Sequence, residues 1–123
     1  MADRVTVIHH KAAEIIRIDW SNARPAEILE AMDAAKRVIA SRAPASALTL
    51  TNVESAIMDK EVTNQLKDYV AHNKPYVLAG AVVGLNDLKM IAFNFVNRVT
   101  GRSLRAMDSE VDARECLANF RPA

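Results

Sequence analysis

The sequence predicts an α/β domain built on a mainly parallel sheet, and three observations carry that prediction. Short runs rich in β-branched residues alternate with longer runs of helical periodicity, giving a βαβαβαβα order after a first strand. The run "YVLAGAVV" is apolar without alternation, which suits a central strand covered on both faces. Helix punctuation falls between the runs: Pro25 in a first turn, Asp59 at a start, Gly101 at an end. The expected architecture is a five-stranded mixed sheet with an antiparallel N-terminal strand and four helices mostly on one face. Right-handed crossovers between neighbouring strands place helices together in that way.

The elements follow in chain order. Arg4 to His9 and Glu14 to Trp20 read as a hairpin around "HKAA". "SNARPAEILEAMDAAKRVIASRAP" reads as a helix capped by Ser21 or Asn22, with Ile28, Leu29, Met32, Ala35 and Ile39 inward and Pro44 as its stop. "ALTLTNV" alternates, so Leu48 and Leu50 point one way and Thr49 and Thr51 the other. Together with Arg17 and Asp19, those threonines imply a sheet face that is not fully buried. The next helix spans about Asp59 to Asn73, with Val62, Leu66, Tyr69 and Val70 inward.

Gly84 marks a turn into a third helix. Leu85, Leu88, Ile91, Ala92, Phe95 and Val99 recur at helical spacing and are expected to form its core stripe. "SLRAM" reads as a short strand. Ser109 and Asp112 approximate a capping box for a last helix that buries Ala113, Cys116, Leu117 and Phe120.

Composition narrows the function classes. The 123 residues make one domain, 1–123, with 50% hydrophobic and 25% charged residues. Sixteen basic against fifteen acidic residues leave a net charge of +1, unlike the concentrated positive surface of a nucleic-acid binder. One cysteine excludes an intramolecular disulfide and suits a reducing, cytoplasmic setting. The N-terminal stretch has no signal-peptide pattern, and "YVLAGAVVGL" is about half the ~20 residues of a membrane span. No export, membrane span, cofactor or metal site is expected. His9 and His10 are adjacent in a strand and so point to opposite faces, and no metalloprotease, phosphate-loop, nucleophile-elbow or dinucleotide motif occurs.

Three stretches carry a family resemblance: "LTNVESAIMDKEVTNQLKDYVAHNKPYV", "AVVGLNDLKMIAFNFVNRVTGR" and "MDSEVDARECLANF". With the βα order, they resemble the bacterial SpoIIAA-like (STAS-type) domains. The bacterial branch grouped with both STAS domains and the phosphatidylinositol-transfer-like (CRAL-TRIO) fold is the nearest in pattern. The resemblance runs from about Val5 to Phe120 and implies a β-α superhelix. In the anti-sigma-factor antagonists of this group it also implies a serine phosphorylation switch at the start of the second helix. Here the matching run is Asp59-Lys60-Glu61-Val62, with Lys60 in the serine slot, so the resemblance implies that the usual switch is absent. Thr51 and Ser55 lie nearby but outside the slot.

Two surfaces are candidates for function. The carboxyl ends of the parallel strands gather Trp20, Asn22 and Arg24, then Asn52 and Ser55, then Asn86, where open α/β sheets bind ligands. Each of these polar residues also suits an ordinary turn or cap. Asp59 is first of all an N-cap, and with Lys60 it would form a recognition surface at a helix start. On the third helix, Phe93 lies about 130° from the expected core stripe and Met90 nearly opposite it, at ~100° per residue. They would form an exposed apolar patch for a partner or a second copy. The expected function is therefore a non-enzymatic regulatory domain acting by protein contact or self-association through Asn52, Ser55, Asp59, Lys60, Asn86, Met90 and Phe93. The alternative is a small-ligand or lipid carrier, implied by the phosphatidylinositol-transfer-like resemblance.

Overall fold

The computed structural model describes residues 3–121. Strands β1 (Val5–His10) and β2 (Ala13–Asp19) precede helix α1 (Pro25–Ala40) and strand β3 (Ala47–Asn52). Helix α2 (Lys60–Asn73), strand β4 (Val77–Val83), helix α3 (Asp87–Thr100), strand β5 (Arg105–Met107) and helix α4 (Glu110–Ala118) follow. The five strands lie in chain order, β1-β2-β3-β4-β5, with β1 antiparallel at one edge and the remaining pairs parallel. This is the expected mixed sheet.

Strand register decides which side chains share a face. Ile16 pairs with Thr49, Arg17 with Leu50, Ile18 with Thr51 and Asp19 with Asn52. Thr49 therefore lies on the face of Ile16 and Ile18, and it is only 5% exposed. Arg17 and Asp19 lie on the opposite face, beside Leu50. The expectation that threonines and charges share one uncovered face is corrected: period-two alternation separates them once the register is set.

Helices α1, α2 and α3 cover the first face, where Ile16, Ile18, Ile28, Ile39, Val62 and Tyr69 form part of the larger core. Helix α4 crosses to the other face and packs Ala113 and Leu117 against Ile15, Leu50, Ala81 and Val83. Three helices on one face agrees with the right-handed crossover rule; α4 does not obey it because no strand follows it. Its ends are pinned electrostatically. Glu110 receives two bonds from Arg17, at 2.7 and 2.8 Å. Glu115 contacts Lys11 at 2.8 Å and His10 at 2.6 Å in the β1–β2 hairpin. Cys116, expected inward, is only half-buried, and its thiol contacts the Arg105 guanidinium at 3.6 Å.

Local chemistry explains the helix ends. Arg24, not Ser21 or Asn22, is the N-cap of α1, and its backbone N–H donates to Glu27 at 2.9 Å. Ser21 instead donates from both its N–H and its hydroxyl to Asp19, and Asn22 adopts φ 57 in the preceding turn. Asp59 caps α2 by accepting from the Val62 N–H at 2.9 Å. The C-termini of α2 and α3 cap each other. Arg102, just beyond α3, donates to Val70 O at 3.0 Å, while Lys74, just beyond α2, donates to Thr100 O at 3.1 Å. Each cation thus meets the negative end of the neighbouring helix.

Helix α3 is rotated about its axis relative to the sequence expectation, although Leu85 at its entry packs against the larger core as expected. Leu88, Ile91, Phe95 and Val99 face solvent at 77%, 69%, 50% and 46% exposure. Val96 is buried, and Met90 and Phe93 are half-buried on the inward side, Phe93 against the larger core. Polar contacts set this phase. Asn97 pairs with both backbone groups of Leu104, at 3.1 Å each way, and Lys89 reaches Val53 O at 3.1 Å. Rotating the more apolar stripe inward would strip these backbone groups of their partners, a loss of about 1–3 kcal/mol for each one left buried. A direct check is a pair of variants. Phe93→Asp is expected to lower stability by about 2–3 kcal/mol, and Phe95→Asp to change it by no more than ~0.5 kcal/mol, in urea unfolding.

Candidate functional site

The carboxyl ends of the strands are closed by the chain itself. Trp20 N–H donates to Asn52 O, Val53 N–H to Val83 O, Asn22 N–H to Glu54 O and Ile57 N–H to Ala23 O, all at 2.8–2.9 Å. Gly84 (φ 86) lies so close to this stitching that a Cβ there would stand 2.5 Å from Glu54 N. The sheet has no strand-order reversal, so no crevice opens at a switch point.

Asn52, Asn86 and Asp59 at this rim have structural partners, whereas the buried Trp20 indole N–H has none among the described residues. Asn52 donates to Glu110 at 2.9 Å and accepts from the Glu54 N–H at 2.9 Å. Asn86 caps α3 by accepting from the Lys89 N–H at 2.8 Å, and Asp59 caps α2. Trp20 is buried, 5.7 Å from Tyr69 between ring centroids. Asn22, Arg24, Ser55 and Lys60 are exposed, with Ser55 in the left-handed region at φ 57 and Lys60 the first residue of α2.

Glu110 is the charged centre that the sequence reading did not identify. Its carboxylate gathers Arg17 and Asn52 across β2 and β3. The Arg17 hydrogen bonds, and then that of Asn52, outweigh desolvation and hold its pKa down at about 2. The same contact raises Arg17. With the unfolded carboxyl near 4.5, Glu110 contributes its full stabilisation above about pH 4.5 and loses it as pH falls towards 2. Glu110→Gln is expected to cost about 1–2 kcal/mol at pH 7, allowing for solvent screening at its exposed edge. That difference will shrink as pH falls from about 4.5 and be lost only below about pH 2, as urea unfolding of both proteins across the acid range will show.

A cavity of about 30 Å³ lies between the sheet and α2, lined in part by Thr49, Thr51, Tyr69, Asn73 and Arg102. Burial pushes the Tyr69 phenol up and the Arg102 guanidinium down. The volume matches one water molecule and falls far below the ~300 Å³ at which small-molecule sites begin. An acyl chain has no room there. A surface depression of about 590 Å³ runs beside Arg4, Asp19, Ser21, Glu27 and Glu30. Its Arg4 head is already bonded to Asp19 O, Ser21 O and Glu27. Among the described residues, no group of three His, Cys, Asp or Glu side chains can hold a metal ion.

The outward face of α3 carries a longer exposed apolar run than Val7, Ile57 or Val111, which stand alone. Its four apolar side chains repeat at i, i+3, i+7 and i+11 and run the length of the helix. Met90 and Phe93, the residues expected to form such a patch, are on the other side. The pattern was visible in the sequence; its direction was not.

No family model matches the chain, and no curated protein matches it. Among solved structures it is similar to an uncharacterized DUF3478-family protein with a SpoIIAA-like fold from Shewanella loihica PV-4. The two share 12% sequence identity at a TM-score of 0.71, over 92% of this chain and 91% of that one. The fold is therefore SpoIIAA-like, as the sequence resemblance implied. Among the described residues, no helix is long and apolar enough to cross a membrane.

Proposed function

We propose that this chain is a non-enzymatic binding domain that works by protein contact, with the outward face of α3 as its contact surface. One observation carries the reading: Leu88, Ile91, Phe95 and Val99 present a continuous apolar stripe to solvent on a helix whose other side already packs inward. Contiguous apolar surface of this kind marks interaction sites. The rim residues support the same reading, because Asn52, Asp59 and Asn86 serve caps and turns rather than a reaction centre. Lys60 stands where related regulators keep a serine, so contact would be governed by something other than phosphorylation at that position.

A photo-crosslinking residue placed at position 91 tests this in cells. A discrete product of higher mass, lost on Leu88→Asp, is the expected result. A diffuse smear, or a product that Leu88→Asp leaves unchanged, counts against the contact face.

A further inference from the structure

We infer that the partner for the α3 face is a second copy of this chain, docked with the two α3 helices antiparallel about a two-fold axis. The inference rests on the contact-face reading above and adds to it the identity of the occupant. At ~100° per residue, Leu88, Ile91, Phe95 and Val99 fall within about 80° of arc, and Asp87 and Arg98 lie within about 20° of each other along one border of it. These two charges sit at opposite ends of the 14-residue helix. Neither has an ion-pair partner among the described residues.

A two-fold axis normal to the plane of two antiparallel helices, level with residues 93 and 94, brings this pattern onto itself. Leu88 then meets Val99 of the second copy, and Ile91 meets Phe95, so the stripe is its own complement. Each border stays on the same side of the pair, so Asp87 of one copy comes level with Arg98 of the other, twice per dimer. A parallel two-fold pair would instead carry the charged borders to opposite sides of the seam and leave Asp87 and Arg98 at different heights, so neither would meet its opposite charge. Charge thus selects the antiparallel arrangement, and an isologous interface of this kind closes at two copies. A standard interface takes about 800 Å² from each partner, and one helix face supplies only part of it. The dimer is therefore expected to dissociate on dilution.

Sedimentation equilibrium from micromolar to millimolar protein tests this. A monomer–dimer equilibrium is expected, abolished by Phe95→Asp with the far-ultraviolet circular dichroism unchanged. Asp87→Arg and Arg98→Asp should each weaken association about tenfold, and the double exchange should restore it to within about threefold. A dimer indifferent to Phe95→Asp, or one in which the double exchange behaves as the sum of the singles, overturns the arrangement. A monomer at every concentration also overturns it. If that monomer still gives the discrete product from position 91, the contact face stands and only the second-copy assignment falls; if the product is missing as well, both fall.

Discussion

Replacing Gly84 with alanine will destabilise the fold by about 3 kcal/mol or more, one of the largest single-residue effects expected in this chain. Two costs add. At φ 86 the backbone occupies a region that L side chains rarely adopt. The new Cβ would also stand 2.5 Å from Glu54 N and 2.8 Å from Glu54 Cα. These are backbone atoms held by the hydrogen bonds between strand ends, so relief requires the β3–α2 loop to move. Because Asn22 N–H bonds to Glu54 O, the displacement will extend to the β2–α1 turn. Urea unfolding gives the stability change. Amide exchange will show protection lost first around Asn22 and Val53. A Gly84→Ala variant with wild-type stability would mean that this loop is far more yielding than its hydrogen bonding indicates.

Leu50→Ala carries the second large effect, about 3 kcal/mol within the range of 2–5 for buried leucines. Leu50 is fully buried in the central region of the sheet, beneath α4 and among Ile15, Ala81, Val83 and Leu117. This layer is thin. Among the described residues, six buried ones make up its core, and two of them, Ala113 and Leu117, come from α4. A void at Leu50 has few large neighbours able to close it, since Ala81 and Ala113 are short. Exchange protection in α4 should fall more than in α1, which packs on the other face. Equal loss in both helices would show that the two layers unfold as one unit.

How much was legible in the sequence varied by kind of signal. Strand order, the antiparallel edge hairpin and the helix starts at Asp59 and Ser109 rest on local rules of alternation and capping, and the chain obeys them. The N-cap of α1 was missed because Asp19 captures Ser21, a competing local bond. The phase of α3 was missed for a different reason. Periodicity identifies the more apolar stripe but contains nothing about Leu104, whose backbone groups Asn97 must satisfy. Polar pairing with a neighbouring segment overruled the apolar pattern. Glu110 was invisible on the same grounds, being 93 residues from Arg17 and 58 from Asn52.

The placement of α4 has a consequence for biosynthesis. Ribosomes deliver a chain from its N-terminus, and β1 to β5 with α1 to α3 can assemble before Glu110–Ala118 has emerged. Throughout that interval Ile15, Leu50, Ala81 and Val83 form a bare, greasy underside on a nascent molecule. The ion pairs from Arg17 and Lys11 to α4 act as latches that shut this underside once synthesis has passed it. A chain halted near residue 108 would therefore depend on chaperones to stay dispersed.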